Sequence, residues 1–253
     1  CPSVFGGYDF SKMVPIGDWV EAYDFGQAAD LWRSFKPRRA FPIVKTDFYR
    51  AAAPVSEAML WTYVFQAGGY GGAIIWESNS LLDVESADLK PNDLARGRAR
   101  IYRELRAGLP RLLQLCDEVS SPVAVDYSHA SVNADFITSV PNRVKSVAAW
   151  EPERYLAFHC RNAWFKLLED RGLRPVFVDS AKIAAGELLA RGIKLLVMPR
   201  SIAVSDAEAE AIRQFVQAGG VVAADSFVGR MDEHCRERPT GALDELFGVR
   251  RTG

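Results

Sequence analysis

One stretch constrains the fold more than any other. Ile193-Lys-Leu-Leu-Val-Met198 is a six-residue run, apolar at five positions, closed by Pro199. Seven residues on, Ser205 and Glu208 form the Ser-x-x-Glu pattern that caps a helix start, satisfying two backbone donors reciprocally. The helical segment runs through Ala218 and is stopped by Gly219-Gly220, and a second apolar run, Val221-Val-Ala-Ala224, follows at once. A strand, a helix and a strand in this order must place the two strands parallel, because a two-residue hairpin cannot span the helix. A strand as continuously apolar as Ile193–Met198 is predicted to be covered on both faces. The unit therefore predicts a parallel sheet layered with helices.

The same rhythm extends backwards. Val123–Tyr127 (VAVDY) and Pro175–Val178 (PVFV) read as strands. The residues 128–150 read as a long connection, Pro152–Arg171 as a helix with Pro152 in its first turn, and Ile183–Arg191 as a short helix. Upstream, Asp18–Tyr23, Phe41–Thr46 and Gly72–Trp76 read as three strands. Gln27–Phe35 reads as a helix or irregular segment. Ser56–Ala67 reads as a helix apolar almost all round, stopped by Gly68-Gly69, and Asp93–Cys116 as one long helix rich in arginine. Ser120-Ser121-Pro122 interrupts the rhythm and marks a boundary. The expected organisation is a domain over 1–119 and a second over 120–253. Four βα steps in the second block suit a doubly wound, flavodoxin-like sheet, similar in fold to class I glutamine amidotransferases. Three strands cannot close a barrel, and a complete (β/α)8 TIM barrel needs roughly 250 residues. The first block is therefore expected to be strands six, seven and eight of a barrel whose other units lie upstream.

Charge and composition narrow the function. The 253 residues carry a net charge of −1, so the surface offers no broad excess of Lys and Arg for nucleic acid. The single basic cluster, Lys36, Arg38 and Arg39, reads as a solvated loop edge. No apolar run approaches the ~18 residues that cross a membrane. The four cysteines (Cys1, Cys116, Cys160 and Cys235) show no metal-binding spacing, and Cys116 and Cys160 are expected to be buried thiols. The chain begins at Cys1 rather than Met, which implies an upstream portion, or a mature lipoprotein end. The sequence does not fix the compartment, with the cytoplasm slightly favoured. No cofactor is implied: the segment after Tyr127, SHASVNADF, lacks the glycines that let a loop wrap phosphate. His129, His159 and His234 are scattered. Ser201 lacks the nucleophile elbow, and the turn Pro199-Arg200-Ser201 has no cysteine.

Functional groups of a βα barrel gather at the carboxyl ends of its strands. Here those ends hold Glu21, Tyr23 and Asp24 on the first strand, Asp47 on the second, and Trp76, Glu77 and Asn79 on the third. Carboxylates beside aromatic rings suit glycoside hydrolysis, which needs two carboxyl groups and favours an aromatic surface under the sugar. Each residue also has a plainer reading: Asp47 as a loop cap, Glu77 and Asn79 as solvated rim residues, Trp76 as core.

Particular motifs carry a family resemblance. VAVDYSHAS, GLRPVFVDS, IKLLVMPRSIAVSDAEAEAIRQFVQAGGVVAAD and GRMDEHCRERPTGALDELFGV together resemble the trimerisation domain of glycoside hydrolase family 42, the β-galactosidase type. MLWTYVFQAGGYGGAIIW is similar to the last helix and strand of that family's barrel. The resemblance implies retaining hydrolysis of β-linked galactosides or related glycosides, an oligosaccharide or glycoside substrate, and a homotrimer. It places Asp47 at the nucleophile position after strand seven, where the family has Glu, and Trp76 at the family's tryptophan after strand eight. The acid/base would follow strand four, upstream of this chain. The Arg that usually follows Trp76 and the Glu and His of the next loop are absent. A non-catalytic carbohydrate-binding or assembly protein on the same scaffold is the competing expectation.

Overall fold

The computed structural model describes residues 9–17, 20–23, 28–36, 43–47, 72–75, 81–117, 119–139 and 156–250. The chain divides into two compact units: one holds the described residues of Lys12–Glu118, the other those of Ser3–Ser11 and Val119–Gly253.

The first unit contains a three-stranded parallel sheet of β1 (Val20–Tyr23), β2 (Ile43–Asp47) and β3 (Gly72–Ile75), in that order. Before it come a short helix, α1 (Phe10–Met13), and a 3-10 turn. Between β1 and β2 runs α2 (Ala28–Phe35), which buries Leu31, Trp32 and Phe35. The expected helix over 56–67 lies outside the described residues. The predicted single helix over 93–116 is two helices, α3 (Asp93–Arg106) and α4 (Leu109–Leu115). The break has a physical cause. Gly108 sits at φ 124°, which a side chain would resist, and Pro110 lacks the N–H needed to continue the ladder. Asn92 caps α3 by accepting from the Ala95 N–H at 3.0 Å.

The second unit is built on four parallel strands: β4 (Val123–Tyr127), β5 (Val176–Asp179), β6 (Leu195–Met198) and β7 (Val221–Ala224), ordered β5-β4-β6-β7. Its helices are α5 (His129–Ser139), α6 (Leu156–Asp170), α7 (Ser180–Ala184), α8 (Glu187–Ala190), α9 (Asp206–Gln217) and α10 (Asp244–Phe247). α5 occupies ground predicted to be connection. Its start is capped by Ser128, whose Oγ accepts the Ser131 N–H at 3.0 Å. The predicted helix over 183–191 is the pair α7 and α8, separated by Gly186 at φ 81°. The capping box at the start of α9 is present as predicted.

Strand alternation divides the buried side chains between two faces. Ala124, Val178, Leu196 and Met198 pack with Ile183 of α7 and with Ile212 and Phe215 of α9. On the opposite face Phe177 stacks on Phe165 of α6, ring centres 5.1 Å apart. Helices thus cover both faces, which is why all five residues of β4 are buried. The cysteine expectation is corrected in part: Cys116, just past the end of α4, is exposed, because it follows the last helical turn and not a packed face; Cys160 is half-buried. Among the described residues no helix is long and apolar enough to cross a membrane.

Candidate functional site

In the first unit the strand register fixes where the predicted residues fall. Tyr23 is level with Thr46, and Thr46 with Ile74; Asp47 is level with Ile75, one step nearer the carboxyl edge. Glu21 and Tyr23 therefore share one alternate set with Val44 and Thr46, and Asp47 belongs to the other set. Asp47 is the last residue of the central strand. Trp76, Glu77 and Asn79 lie outside the described residues, as does Asp24. The register brings Tyr23 and Asp47 to the same edge of the sheet, with Glu21 two residues further back on β1.

The second unit holds chemistry that the sequence motifs did not single out. Strand order reverses between β4 and β6, creating a switch point at their carboxyl ends. Asp126, the penultimate residue of β4, is 3% exposed and accepts from the Ser201 Oγ–H at 2.5 Å. Its other oxygen, Oδ1, has no hydrogen-bond partner among the described residues. On the same face lies Glu208, on the first turn of α9 and 1% exposed. Its Oε2 accepts from the Ser205 N–H at 3.4 Å as part of the capping box. Asp179 caps α7 by accepting from the Lys182 N–H at 3.0 Å, with the Lys182 ammonium 3.4 Å away. Burial raises the Asp126 carboxyl to about 7, Ser201 works against the rise, and the charge of Asp179 adds to it. Burial, followed by the field of Asp126, holds Glu208 well above the usual carboxylate range. Burial favours the protonated form of both carboxyl groups. Both side chains are sealed from solvent.

The opposite side carries Arg161 and, past the strand ends, Arg200 with Asp135 and Asp225. Tyr127 is the last residue of β4, and its hydroxyl accepts from the Phe10 N–H at 3.3 Å. Burial pushes this hydroxyl up to about 12, with the Arg161 charge opposing. Nearby, Asp135 of α5 accepts from Arg200 Nε at 2.5 Å and from the Ala157 N–H at 2.8 Å, tying the loop after β6 to the start of α6. Asp225, just past β7, accepts from the Arg200 N–H at 2.6 Å and from Trp164 Nε1 at 3.3 Å. Arg200 adopts φ 46° and Phe227 φ 65°, conformations that cost side chains energy, and the two are in cation–π contact at 5.5 Å. Asp126 was legible as the one charged residue in an apolar strand. Arg161 and Arg200 gave no such signal, because arginine on a helix or after a proline is usually solvated. No group of His, Cys, Asp and Glu among the described residues could hold a metal ion.

No family profile matches the chain, and no curated protein does. Solved structures do. A β-galactosidase from Bacillus circulans sp. alkalophilus aligns over 94% of this chain and 37% of its own, at 17% identity and a TM-score of 0.65. A glycoside hydrolase family 42 β-galactosidase from G. stearothermophilus, solved as a catalytic mutant, covers the same shares at 17% identity and a TM-score of 0.59. A β-galactosidase from the Antarctic haloarchaeon Halorubrum lacusprofundi covers 87% of this chain and 32% of its own, at 17% identity and a TM-score of 0.59. The chain spans about a third of the length of each of these proteins. Over most of its length it resembles, in its α/β fold, the β-galactosidases of glycoside hydrolase family 42.

Proposed function

We propose that this chain is part of a β-galactosidase-type glycoside hydrolase, covering the end of its barrel and the domain that follows. In this reading the first unit supplies the last three strands of a (β/α)8 barrel. The second is a flavodoxin-like domain that assembles the enzyme as a trimer. Asp47 acts as nucleophile in a retaining double displacement, and a carboxyl group from the preceding part of the barrel, about 5–5.5 Å away, protonates the leaving oxygen. Trp76 and Tyr23 offer ring surfaces to the sugar, and Glu21, Glu77 and Asn79 bind its hydroxyls.

One observation carries the reading. Asp47 ends the central strand of a parallel three-stranded sheet, and catalytic groups of barrel enzymes sit at such carboxyl ends. The fold similarity to β-galactosidases supports the substrate class. A second reading, a carbohydrate-binding or assembly protein without turnover, draws on Asp47 itself. Asp is one methylene shorter than the Glu expected there, and a displacement of about 1 Å can cost ~100-fold in rate.

The experiment is hydrolysis of an aryl β-galactoside by the full-length enzyme and its Asp47→Asn variant. Loss of turnover by three orders of magnitude or more, with substrate still bound, fits the nucleophile. An active parent whose variant keeps its rate rules Asp47 out, and a parent that binds galactosides without turnover selects the second reading.

A further inference from the structure

On the sheet face opposite Asp126 sits a cation with no anion paired to it among the described residues. Arg161, in the second turn of α6, is 4% exposed. Its guanidinium carbon lies 5.8 Å from the ring centre of Tyr127 and 5.9 Å from that of Phe158. Nε and Nη2 are both buried, and neither has a hydrogen-bond partner among the described residues. No carboxylate there is within ion-pair distance of it.

The identity of the two orphaned atoms is informative. In a planar guanidinium the Nε–H and one Nη2–H point the same way, forming the two-pronged edge that a carboxylate accepts with both oxygens. The unsatisfied donors are therefore one complete recognition edge, not scattered losses. Ring faces offset only part of the cost of burying a cation, and an unpaired one is strongly unfavourable. The location adds to this. α6 must carry the chain from the carboxyl edge of the sheet back to the start of β5, so its first turns lie beside the end of β4. That strand end borders the switch point, where open α/β sheets bind ligands.

We propose that Arg161 is the cationic half of a carboxylate-binding site at the end of β4, with one carboxylate accepting from both Nε and Nη2. The carboxylate comes either from a free small acid or from an Asp or Glu side chain of a polypeptide segment. The two sources share one chemistry and separate by experiment.

The protein, with its Arg161→Met and Arg161→Lys variants, is melted in sodium formate, acetate or glucuronate, against sodium chloride at equal ionic strength. Hydrogen exchange of peptides from α6 and β4 is followed in parallel. A free acid gives a saturable rise in melting temperature for the parent, absent in chloride and in R161M, with half-saturation at least tenfold weaker in R161K, which keeps the charge and loses the fork. A polypeptide carboxylate gives no response to added acid, but protection of α6 falls at least tenfold in both variants, because a carboxylate is left buried. The proposal is overturned if the parent ignores every acid and either variant matches or exceeds its protection. It is overturned equally if R161M or R161K responds to the acids as the parent does.

Discussion

Replacing Asp126 with Asn tests the buried carboxyl pair most directly. The side chain keeps its shape and an oxygen to accept the Ser201 hydroxyl, and loses only the ability to ionise. In the folded protein the carboxyl holds its proton to about pH 7, against an ordinary 3.8. Between those values the folded state binds more protons than the unfolded chain, so the contribution of Asp126 to stability falls as pH rises through the window and levels off above it. At about 1.4 kcal/mol for each tenfold change in proton affinity, the whole effect is on the order of 4 kcal/mol. Asp126→Asn should therefore match the parent near pH 4 and exceed it increasingly toward pH 8. The assay is native-state hydrogen exchange of peptides covering Val123–Tyr127 and Leu195–Met198, taken as the ratio of the variant's protection factor to the parent's at each pH. The intrinsic pH dependence of exchange cancels in that ratio. It should climb from about one at pH 4 by up to a thousandfold at pH 8, the free energy above expressed as an opening constant. A ratio that stays flat across the range would refute the claim that burial keeps this carboxyl protonated.

Two further outcomes concern stability. Ser205→Ala removes the acceptor for the Glu208 N–H at 3.1 Å and should cost about 1 kcal/mol in urea unfolding, with exchange fastest at the first turn of α9. Gly220→Ala places a Cβ 2.4 Å from the Phe215 ring, whose side chain is fully buried, so the ring must shift and stability should drop by about 1–3 kcal/mol; an unchanged melting temperature would show that the ring moves freely.

The elements most readable in the sequence are those whose local signals agree with their burial. β6 and β7 are apolar runs bounded by Pro199 and by Gly219-Gly220, and α9 announces itself through Ser205 and Glu208. α5 was missed because SHASVNADF is rich in residues that suit turns and shows no clear apolar stripe. It is a helix because Ser128 caps it and because the hydroxyls of Ser128 and Ser131 both bond Ala203 O, each at 3.1 Å, anchoring its start to the loop after β6. That anchor joins residues more than seventy positions apart, and no local pattern reports it. The site divides in the same way. Strand ends are legible, so Asp47 falls at the edge of its sheet. The raised proton affinity of Asp126 and the orphaned edge of Arg161 depend on what covers them, which only the packed structure supplies.

The bond from the Phe10 N–H to the Tyr127 hydroxyl spans 117 positions, with the whole first unit strung between them. During synthesis Phe10 emerges long before its partner. At about 5–20 residues per second the wait is roughly ten seconds, enough for the intervening unit to begin folding before the second unit can gather its first strip of chain. A clone starting at Val119 would then encode a domain that lacks the Phe10 N–H bonded to Tyr127, and grafting Asp9–Ser11 back through a flexible tether is the simplest repair.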